Sequence, residues 1–480
     1  DDEGRGIGGG DDGDGGSSAA TTTTTKLIRG RTFDEAVRLT SEAARGDGGP
    51  SGGGRPRVLF EAAFFDGTRG ARADVLERSV DDDGDGGGGR RTLTEVKMGT
   101  RPKKSYVEDV AYTASVMRRC GVPATSCRLL LVNSDYRLGM PEEEMFRSVD
   151  VTDEVSALLD GYDESVGAIA EAVLSDEMPK AEMIPSCRGC DYWDRCLGRT
   201  VKDPIVDLPR ISKKVFGTLK SRGVESIHDL HDDSMLTDRQ SRTRRAVISG
   251  QPVVDVPALI KFLDKAVFPA RYLDFETASS AIPLYPGVGP HQQVPTQFCV
   301  RTCSAPGILV EGGNADFLAR HDTTVEPQHE LAEALVQAVG DDGGSVVVYS
   351  GFEQRVIKGL AQAVPSLEGP LLAITDRLFD LEKAFLSAYV HPDFRGRTSI
   401  KAVLPVLVPW LTYDGMNVAE GREAATLFAS LARGELKGNH RAEEMAREDL
   451  LEYCALDVMA MVELHRVLRD SISGKEGKDQ

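Results

Sequence analysis

The sequence predicts an α/β protein made of two α/β domains joined by a helical segment. Three strand-like runs follow Val58, and after them come a helix over 106–120 and another strand over 128–133. Strands and helices alternate again after Ala270, whereas residues 201–268 are polar and have helical periodicity. Because strands that alternate with helices form layered sheets with their own cores, these two stretches predict two separate domains.

The length, net charge and apolar runs of the chain limit the classes of function. The 480 residues are enough for two or three domains. The formal net charge of −19 counts against a polyanionic partner, but much of the acidity lies in solvated runs such as 81–85 and 142–144. No run of about eighteen apolar residues occurs, so the sequence predicts no membrane span. The sequence begins at Asp1 rather than at Met, which leaves a missing start and a lost targeting segment open.

Low-complexity composition marks the predicted boundaries. Residues 1–55 are rich in Gly, Asp, Ser and Thr and are expected to be disordered, apart from a short helix near 33–44. A similar patch, 81–89, is expected to form a hairpin tip, and residues 471–480 are expected to fray. The predicted domains are 56–200, a helix–hairpin–helix-like helical bridge over 201–268, and 269–470.

The first acidic constellation is Asp74, Glu95 and Lys97. Asp74 lies on an apolar strand, and Glu95 and Lys97 lie two residues apart on the next strand, so both point to one face while Val96 points to the core. Carboxylates can hold Mg²⁺ or Mn²⁺, and a lysine can orient the attacking water and offset the charge that develops when a phosphodiester is cleaved. The alternative is a surface hairpin with alternating charges, because Glu-x-Lys is a common pattern.

The surroundings of these three residues resemble the core of RecB-like PD-(D/E)XK nucleases. The runs FEAAF at 60–64 and ARADVL at 71–76, followed by EVK on the next strand, match that core. The resemblance implies a restriction-endonuclease-like fold in which the three residues are catalytic and the two carboxylates bind the metal. On the following helix it implies that Tyr112 contacts nucleic acid, and Thr113 stands where the family has a Gln. Glu61 is either an additional acidic residue or an exposed strand carboxylate.

Cys187, Cys190 and Cys196 are spaced closely enough to share zinc or an iron–sulfur cluster, which indicates a reducing compartment. They resemble the cysteine cluster of iron–sulfur nucleases of the RecB and CRISPR-associated families, which implies a [4Fe–4S] cluster or Zn²⁺. In those families three cysteines follow the nuclease core and a fourth precedes it. Here no cysteine precedes Cys120, and both Cys120 and Cys127 are assigned to the nuclease core. A truncated chain, a substitute ligand and a degenerate site remain as explanations.

The second acidic constellation lies in the C-terminal domain. Asp274 and Glu276 alternate on a strand, so both carboxylates face one side while Phe275 packs behind them. Tyr453 and Asp457 are four residues apart on a predicted helix, which brings the hydroxyl and the carboxylate to one face. Each pair alone could be a strand end or an exposed helix face. Both pairs occur in order, with an acid-bearing segment between them, which favours a shared site.

This order resembles the DEDD exonucleases of the RNase H-like superfamily, in their tyrosine-containing branch. The resemblance implies that Asp274, Glu276 and Asp457 bind the metal and that Tyr453 positions the attacking water. Glu353 stands where the family's second acidic motif has Asp, and Asp380 is the alternative for that acid. Further runs resemble an uncharacterised bacterial and archaeal family in which this domain follows a RecB-like nuclease, over residues 57–470: IPLY at 282–285, HQQVP at 291–295, HP at 391–392 and SIKAVLP at 399–405.

Four residues of the C-terminal domain are candidates for contacts with a nucleic-acid strand. Tyr285, His291 and Gln292 are expected to line a groove where a strand end enters. Lys401 is expected to meet a phosphate as a point charge. The alternative for all four is a structural or surface role.

The two constellations together predict a metal-dependent nuclease, in particular an exonuclease, that hydrolyses phosphodiester bonds with Mg²⁺ or Mn²⁺. A pair of ions about 3.5–4 Å apart would stabilise the attacking and leaving oxygens. DNA is favoured over RNA as the partner, and the expected location is the cytoplasm or nucleoid, or an organelle or nucleus in a eukaryote. Two alternatives remain: one domain cuts while the other is a degenerate binding module, or the chain is a non-enzymatic nucleic-acid scaffold.

Overall fold

The computed structural model of the protein describes residues 25–45, 57–78, 90–320 and 327–473. The chain divides into two compact units, and both are mixed α/β, which confirms the predicted class. The predictions for 1–24, for 81–89 and for the residues after Ser473 lie outside the described residues. No helix within the described ranges has both the length and the apolar character that a membrane crossing needs. The first unit comprises Asp1–Asn133 and Glu143–Met178, and the second Ser134–Glu142 and Pro179–Gln480.

The first unit contains a six-stranded mixed sheet whose strands lie in chain order. The first and second strands are parallel, as are the fourth and fifth, and the other neighbours are antiparallel. The strands are β1 (Thr25–Leu27), β2 (Val58–Phe65), β3 (Gly70–Arg78), β4 (Arg91–Lys97), β5 (Ser126–Val132) and β6 (Phe146–Asp150). The helices are α1 (Phe33–Arg45), α2 (Lys104–Arg119) and α3 (Thr152–Leu174).

Apolar side chains of this sheet and its helices form one core. Leu93 and Leu129 from the strands and Met117 from α2 are fully buried. Ala36 on α1 is also fully buried in this core, and α1 packs against β2. The short helix predicted near 33–44 is present as α1, whereas the disorder expected for residues 25–27 is wrong, because these residues form β1 and pair with β2.

The second unit contains a five-stranded mixed sheet in the order β10-β9-β8-β11-β12 and a two-stranded antiparallel sheet of β7 and β13. The central strand, β8, pairs antiparallel with β9 and parallel with β11. The other pairs are β9 with β10, antiparallel, and β11 with β12, parallel. The strands are β7 (Val253–Val254), β8 (Ala270–Ala278), β9 (Val294–Ala305), β10 (Ile308–Leu318), β11 (Val346–Val348), β12 (Leu378–Asp380) and β13 (Tyr389–Val390).

Helices surround these strands, and the longest, α14, packs against β8 and β9. Their starts follow ordinary capping chemistry where a side chain is in place: Asp255, for example, accepts a hydrogen bond of 3.1 Å from the backbone N–H of Ala258. The helices are α4 (Trp193–Cys196), α5 (Lys213–Ser221), α6 (Asp238–Ser249), α7 (Val256–Leu263), α8 (Gln328–Val339), α9 (Phe352–Ala363), α10 (Glu368–Thr375), α11 (Glu382–Ser387), α12 (Ile400–Leu407), α13 (Gly421–Ala432) and α14 (His440–Ser473).

The cysteine-bearing segment and the bridge share one small core in the second unit. Met183 and Leu197 pack with Ile205 and Phe216, which explains why the first unit ends at Met178 rather than at residue 200. The helix–hairpin–helix expected in the bridge is only half present. The turn after α5 is followed by a short 3-10 turn, Ile227–Asp229, instead of a second α-helix.

Candidate active site

Three carboxylates meet beside β8, the central strand of the five-stranded sheet in the second unit. Asp274 and Glu276 project from one side of β8, and Phe275 between them is buried on the other side. Asp457 reaches them from α14. One ligand atom from each of the three carboxylates lies within 4.8 Å of the others. Among the described residues this is the one group of three or more His, Cys, Asp or Glu side chains close enough to hold an ion.

Burial and mutual repulsion make it unfavourable for all these carboxylates to be charged at once. Burial raises the pKa of Asp274 well above its ordinary range, and the charges of Asp457 and Glu276 raise it further. Burial, together with the charge of Asp457, raises the pKa of Glu276 to about 8. Burial also raises the pKa of Asp457. The site therefore holds protons near neutral pH unless a cation neutralises the carboxylates.

Glu353 is the fourth acid at this site, near the start of α9. Its side chain is buried, and its Oε2 has no hydrogen-bond partner within the described ranges. Burial raises the pKa of Glu353 to about 8, with contributions from the charges of Asp380 and Asp457. A buried carboxylate oxygen without a partner is costly, so a ligand at this position would satisfy it.

Asp380, the alternative to Glu353 as the acid of the second motif, holds the backbone near α9 through hydrogen bonds. Its Oδ1 accepts hydrogen bonds from the backbone N–H groups of Ser350, at 2.9 Å, and Glu382, at 3.1 Å. Ser350 has φ of +91°, a strained value for a residue with a side chain. The carboxylate of Asp380 therefore fixes the turn that leads into α9, and it positions Glu353.

Two tyrosines and a lysine complete the site. Tyr413, in the segment after α12, donates a hydrogen bond to Oδ1 of Asp457. Tyr453 lies one helical turn before Asp457, and hydrogen bonds from both tyrosines oppose the rise in the pKa of Asp457. The Nζ of Lys401 lies 5.2 Å from the ring centre of Tyr413 and 5.5 Å from that of Tyr453. Its charge lowers the pKa of both Glu276 and Asp457.

Tyr413 could not be found from the sequence, because it lies in an irregular segment where no periodicity points to a shared face. We expect Tyr413→Phe to lower metal-dependent hydrolysis by about 10–100-fold, since partners that only orient a metal ligand have effects of that size. The measurement is kcat and the Mn²⁺ concentration for half-maximal activity. Tyr389→Phe is the matched control, because Tyr389 is a buried core residue whose hydroxyl has no hydrogen bond in the described structure. Equal activity of the two variants would contradict the role of Tyr413.

The first constellation is also brought together, within the first unit. Oδ2 of Asp74 accepts a hydrogen bond of 2.7 Å from the backbone N–H of Val96. The Nζ of Lys97 lies 2.9 Å from Glu95 and 2.8 Å from Asp109. Burial opposes the charge of Lys97, but the hydrogen bonds to Asp109 and Glu95 outweigh it and raise its pKa. Burial raises the pKa of Glu95, and the charge of Asp74 adds to the rise. The residues thus form one charged network on β3, β4 and α2.

The other candidates of the first unit take structural positions. The hydroxyl of Tyr112 donates to the carbonyl of Gly70 at 3.1 Å, and Thr113 is buried in α2. Glu61 has φ of +59°, and it interrupts the pairing of β2 with β3 without changing their register. Its carboxylate lies 3.8 Å from Arg72 and is partly exposed, which favours the alternative of a strand carboxylate.

The three clustered cysteines are not gathered around a single-ion site. Cys190 and Cys196 are exposed, and Cys187 accepts a hydrogen bond of 3.4 Å from the backbone N–H of Ile184. Within the described ranges their sulfurs do not form a group within 4.8 Å. The two cysteines assigned to the nuclease core, Cys120 and Cys127, do lie there, on the end of α2 and on β5.

Four residues of the second unit were candidates for contacts with a nucleic-acid strand. Of these, Lys401 lies at the acidic site and Tyr285 does not lie at the surface. Tyr285 is fully buried in a core with Leu284 and Phe428, which favours the alternative of a structural role for this residue. His291 and Gln292 are exposed. Gln292 lines an open cleft of about 460 Å³ that begins at Thr277, directly after Glu276, and is also lined by Gln293, Gln328 and Arg355.

Residues 271–399 match a family model described as a domain of unknown function (DUF2779). The matched residues contain Asp274, Glu276 and Glu353 but end before Tyr453 and Asp457. No curated protein and no solved structure matches the chain.

Proposed function

We propose that this protein is a metal-dependent nuclease that hydrolyses phosphodiester bonds at the acidic site of its second unit. The observation that carries the proposal is the meeting of Asp274, Glu276 and Asp457, with one ligand atom of each within 4.8 Å of the others. Buried carboxylates repel one another and need a cation, and hard divalent cations prefer oxygen ligands. The site is therefore better suited to a metal ion and its bound water than to a side-chain nucleophile.

The residues fit Mg²⁺ or Mn²⁺. Asp274, Glu276 and Asp457 would hold the ion, and the unpartnered Oε2 of Glu353 would be a further oxygen available to it. A divalent ion supplies Lewis-acid stabilisation of the negative charge that develops on the phosphate. Glu in place of Asp at the second acidic motif lengthens the side chain by one methylene, and Asp380 holds the backbone turn just before Glu353.

The neighbouring side chains provide the remaining functions. Burial, followed by the charges of Asp457 and Glu276, raises the pKa of Tyr453 far above its ordinary value. Tyr453 therefore keeps its proton and orients water through hydrogen bonding, and it does not act as a general base. Lys401 places a positive charge beside the carboxylates, where it would offset charge on a bound phosphate.

The positions of the acidic residues also support a proposal for the fold family of each unit. A mixed sheet whose central strand carries two acids, and a C-terminal helix that supplies a third, support an RNase H-like DEDD exonuclease domain. In the first unit, the network of Asp74, Glu95 and Lys97 on neighbouring strands supports a PD-(D/E)XK domain with its own Mg²⁺ or Mn²⁺. A [4Fe–4S] cluster or Zn²⁺ at the three clustered cysteines stays a proposal that rests on their spacing alone.

The test is hydrolysis of labelled single- and double-stranded DNA and RNA. We expect activity with Mn²⁺ or Mg²⁺ and a loss of at least about 100-fold in excess chelator, because the carboxylates alone cannot stabilise the developing charge. Full activity in excess chelator would contradict the proposal. Metal-independent binding without hydrolysis of any substrate would favour a nucleic-acid scaffold instead.

A further inference from the structure

Six arginines of the second unit are connected by pairwise charge interactions that run through Arg188 and Arg239, although the whole chain has a net charge of −19. The charges of Arg395 and Arg397 act on Arg188, and the charge of Arg188 acts in turn on Arg239. The members come from three separate stretches of sequence: the cysteine-bearing segment, the bridge, and the loop before α12. We call them the arginine cluster: Arg188, Arg210, Arg239, Arg242, Arg395 and Arg397.

Specific contacts hold the cluster in place. The guanidinium of Arg188 donates to the carbonyl of Arg395 at 3.0 Å, and Nε of Arg395 donates to Oδ2 of the buried Asp207 at 2.9 Å. Arg242 donates to the carbonyl groups of Leu386 and Ser387. These bonds hold Arg188, Arg242 and Arg395 in place, so these three side chains are part of the fold and not a chance meeting of long side chains.

Positive charge in the cluster exceeds the negative charge that faces it. The carboxylates that act on Arg188 and Arg239 are Asp207, which already pairs with Arg395, and Glu382, which accepts a hydrogen bond from Thr398. Three members have no hydrogen bond or ion pair from their side chains within the described ranges: Arg210, Arg239 and Arg397. Burial, and then the neighbouring guanidinium groups, lower the pKa of Arg239. A bound anion would relieve this repulsion.

We propose that the arginine cluster binds the phosphodiester backbone of the strand whose end reaches the acidic site. Guanidinium groups match phosphate oxygens in a two-pronged geometry, and several together fit successive phosphates better than one small anion. Arg397 precedes Lys401 by four residues, so their backbones lie at most about 14 Å apart. That distance corresponds to roughly four stacked nucleotides. The inference rests on the proposed function, because the arginine cluster would bind the part of the substrate strand that lies outside the acidic site.

Binding of a fluorescent strand of about 20 nucleotides, measured in chelator over a series of salt concentrations, tests the inference without hydrolysis. We expect Arg210→Gln/Arg397→Gln to weaken binding by about 10-fold or more and to lower the slope of log Kd against log salt by about 1.4. The matched control is Arg199→Gln/Arg441→Gln, which removes the same charge from two exposed arginines that are not among the charges acting on Arg188 or Arg239. It should bind as the wild type does.

The outcomes separate this inference from the proposed function. Equal weakening in both double variants would overturn the inference, because only net charge would matter, and so would a wild-type protein that binds no strand at low salt. If the wild type hydrolyses nucleic acid while the cluster variant binds normally, the inference fails and the function stands. If strands bind through the cluster but no metal supports hydrolysis, the function fails and the cluster stands. The same measurements with a DNA strand and with an RNA strand show which backbone is preferred. Circular dichroism checks that each variant is folded.

Discussion

Asp457→Asn is expected to remove hydrolysis at the acidic site of the second unit, lowering kcat by at least about 100-fold. The substitution deletes one of three charges that would hold the cation while keeping the side-chain volume. Loss of a group that merely orients a metal ligand already lowers activity by about 10–100-fold, so loss of the ligand itself should exceed that range. The change should not unfold the protein, because Asp457 is destabilised by burial in its charged form and contributes no apolar packing.

The measurement compares this variant with Lys97→Ala in the first unit and with the double variant. If both units cut, each single variant keeps a distinct part of the activity on a panel of substrates, and the double variant loses all of it. Asp470→Asn is the control on the same helix, since its exposed pair with Arg466 contributes little. Loss of all activity on one single change would show that only that unit cuts. Wild-type activity in the double variant would mean that both sets of catalytic residues are wrong.

Without metal, the second unit should become less stable as pH rises from about 5 to above 8. Glu276 and Glu353 each have a pKa of about 8 in the folded protein, against an ordinary value of 4.5. The folded state therefore binds more protons than the unfolded state between these values, and raising the pH favours unfolding. Each tenfold difference in proton affinity between the two states corresponds to about 1.4 kcal/mol, so two such groups can change the free energy of unfolding by several kcal/mol.

Thermal unfolding at pH 6 and pH 8, in chelator and in Mn²⁺, measures this effect. The stabilisation by Mn²⁺ should be larger at pH 8, because at pH 6 the ion must displace protons from the carboxylates. Asp457→Asn should flatten the pH dependence in chelator, since it removes a charge that raises the pKa of Glu276. Asp470→Asn should leave the dependence unchanged. Stability that rises between pH 6 and pH 8 without metal would contradict the buried, repelling carboxylates.

Periodicity explains which parts of the second unit could be predicted. Asp274 and Glu276 could be paired because alternate strand residues share a face, and Asp457 because it lies one helical turn after Tyr453. Tyr413 was missed, since an irregular segment has no period that assigns a side chain to a face. The burial of Tyr285 was missed for the related reason that a residue outside regular structure shows no burial pattern in the sequence.

In the first unit, amino-acid composition gave a wrong prediction for a segment whose structure depends on pairing with the sheet. Low-complexity composition suggested that residues 25–27 are disordered, yet they form β1 and pair in parallel with β2. The strand residues Asp74, Glu95 and Lys97 could be predicted together because both strands have clear alternation, whereas Asp109 joins them only through the packing of α2 against the sheet. Local sequence patterns predict which side chains share one face of a helix or strand. Only the three-dimensional packing shows which of these faces contact each other.

The late position of α14 in the chain has a consequence for synthesis. Asp274 and Glu276 leave the ribosome long before Asp457, so a growing chain can form the sheet while its site lacks the third carboxylate. Such a chain would be catalytically silent at this site until α14 docks, and a product broken off before α14 would remain silent. The same holds for the matched residues 271–399 taken alone. In the proposed nuclease, the order of residues would therefore delay activity at this site until synthesis is nearly complete.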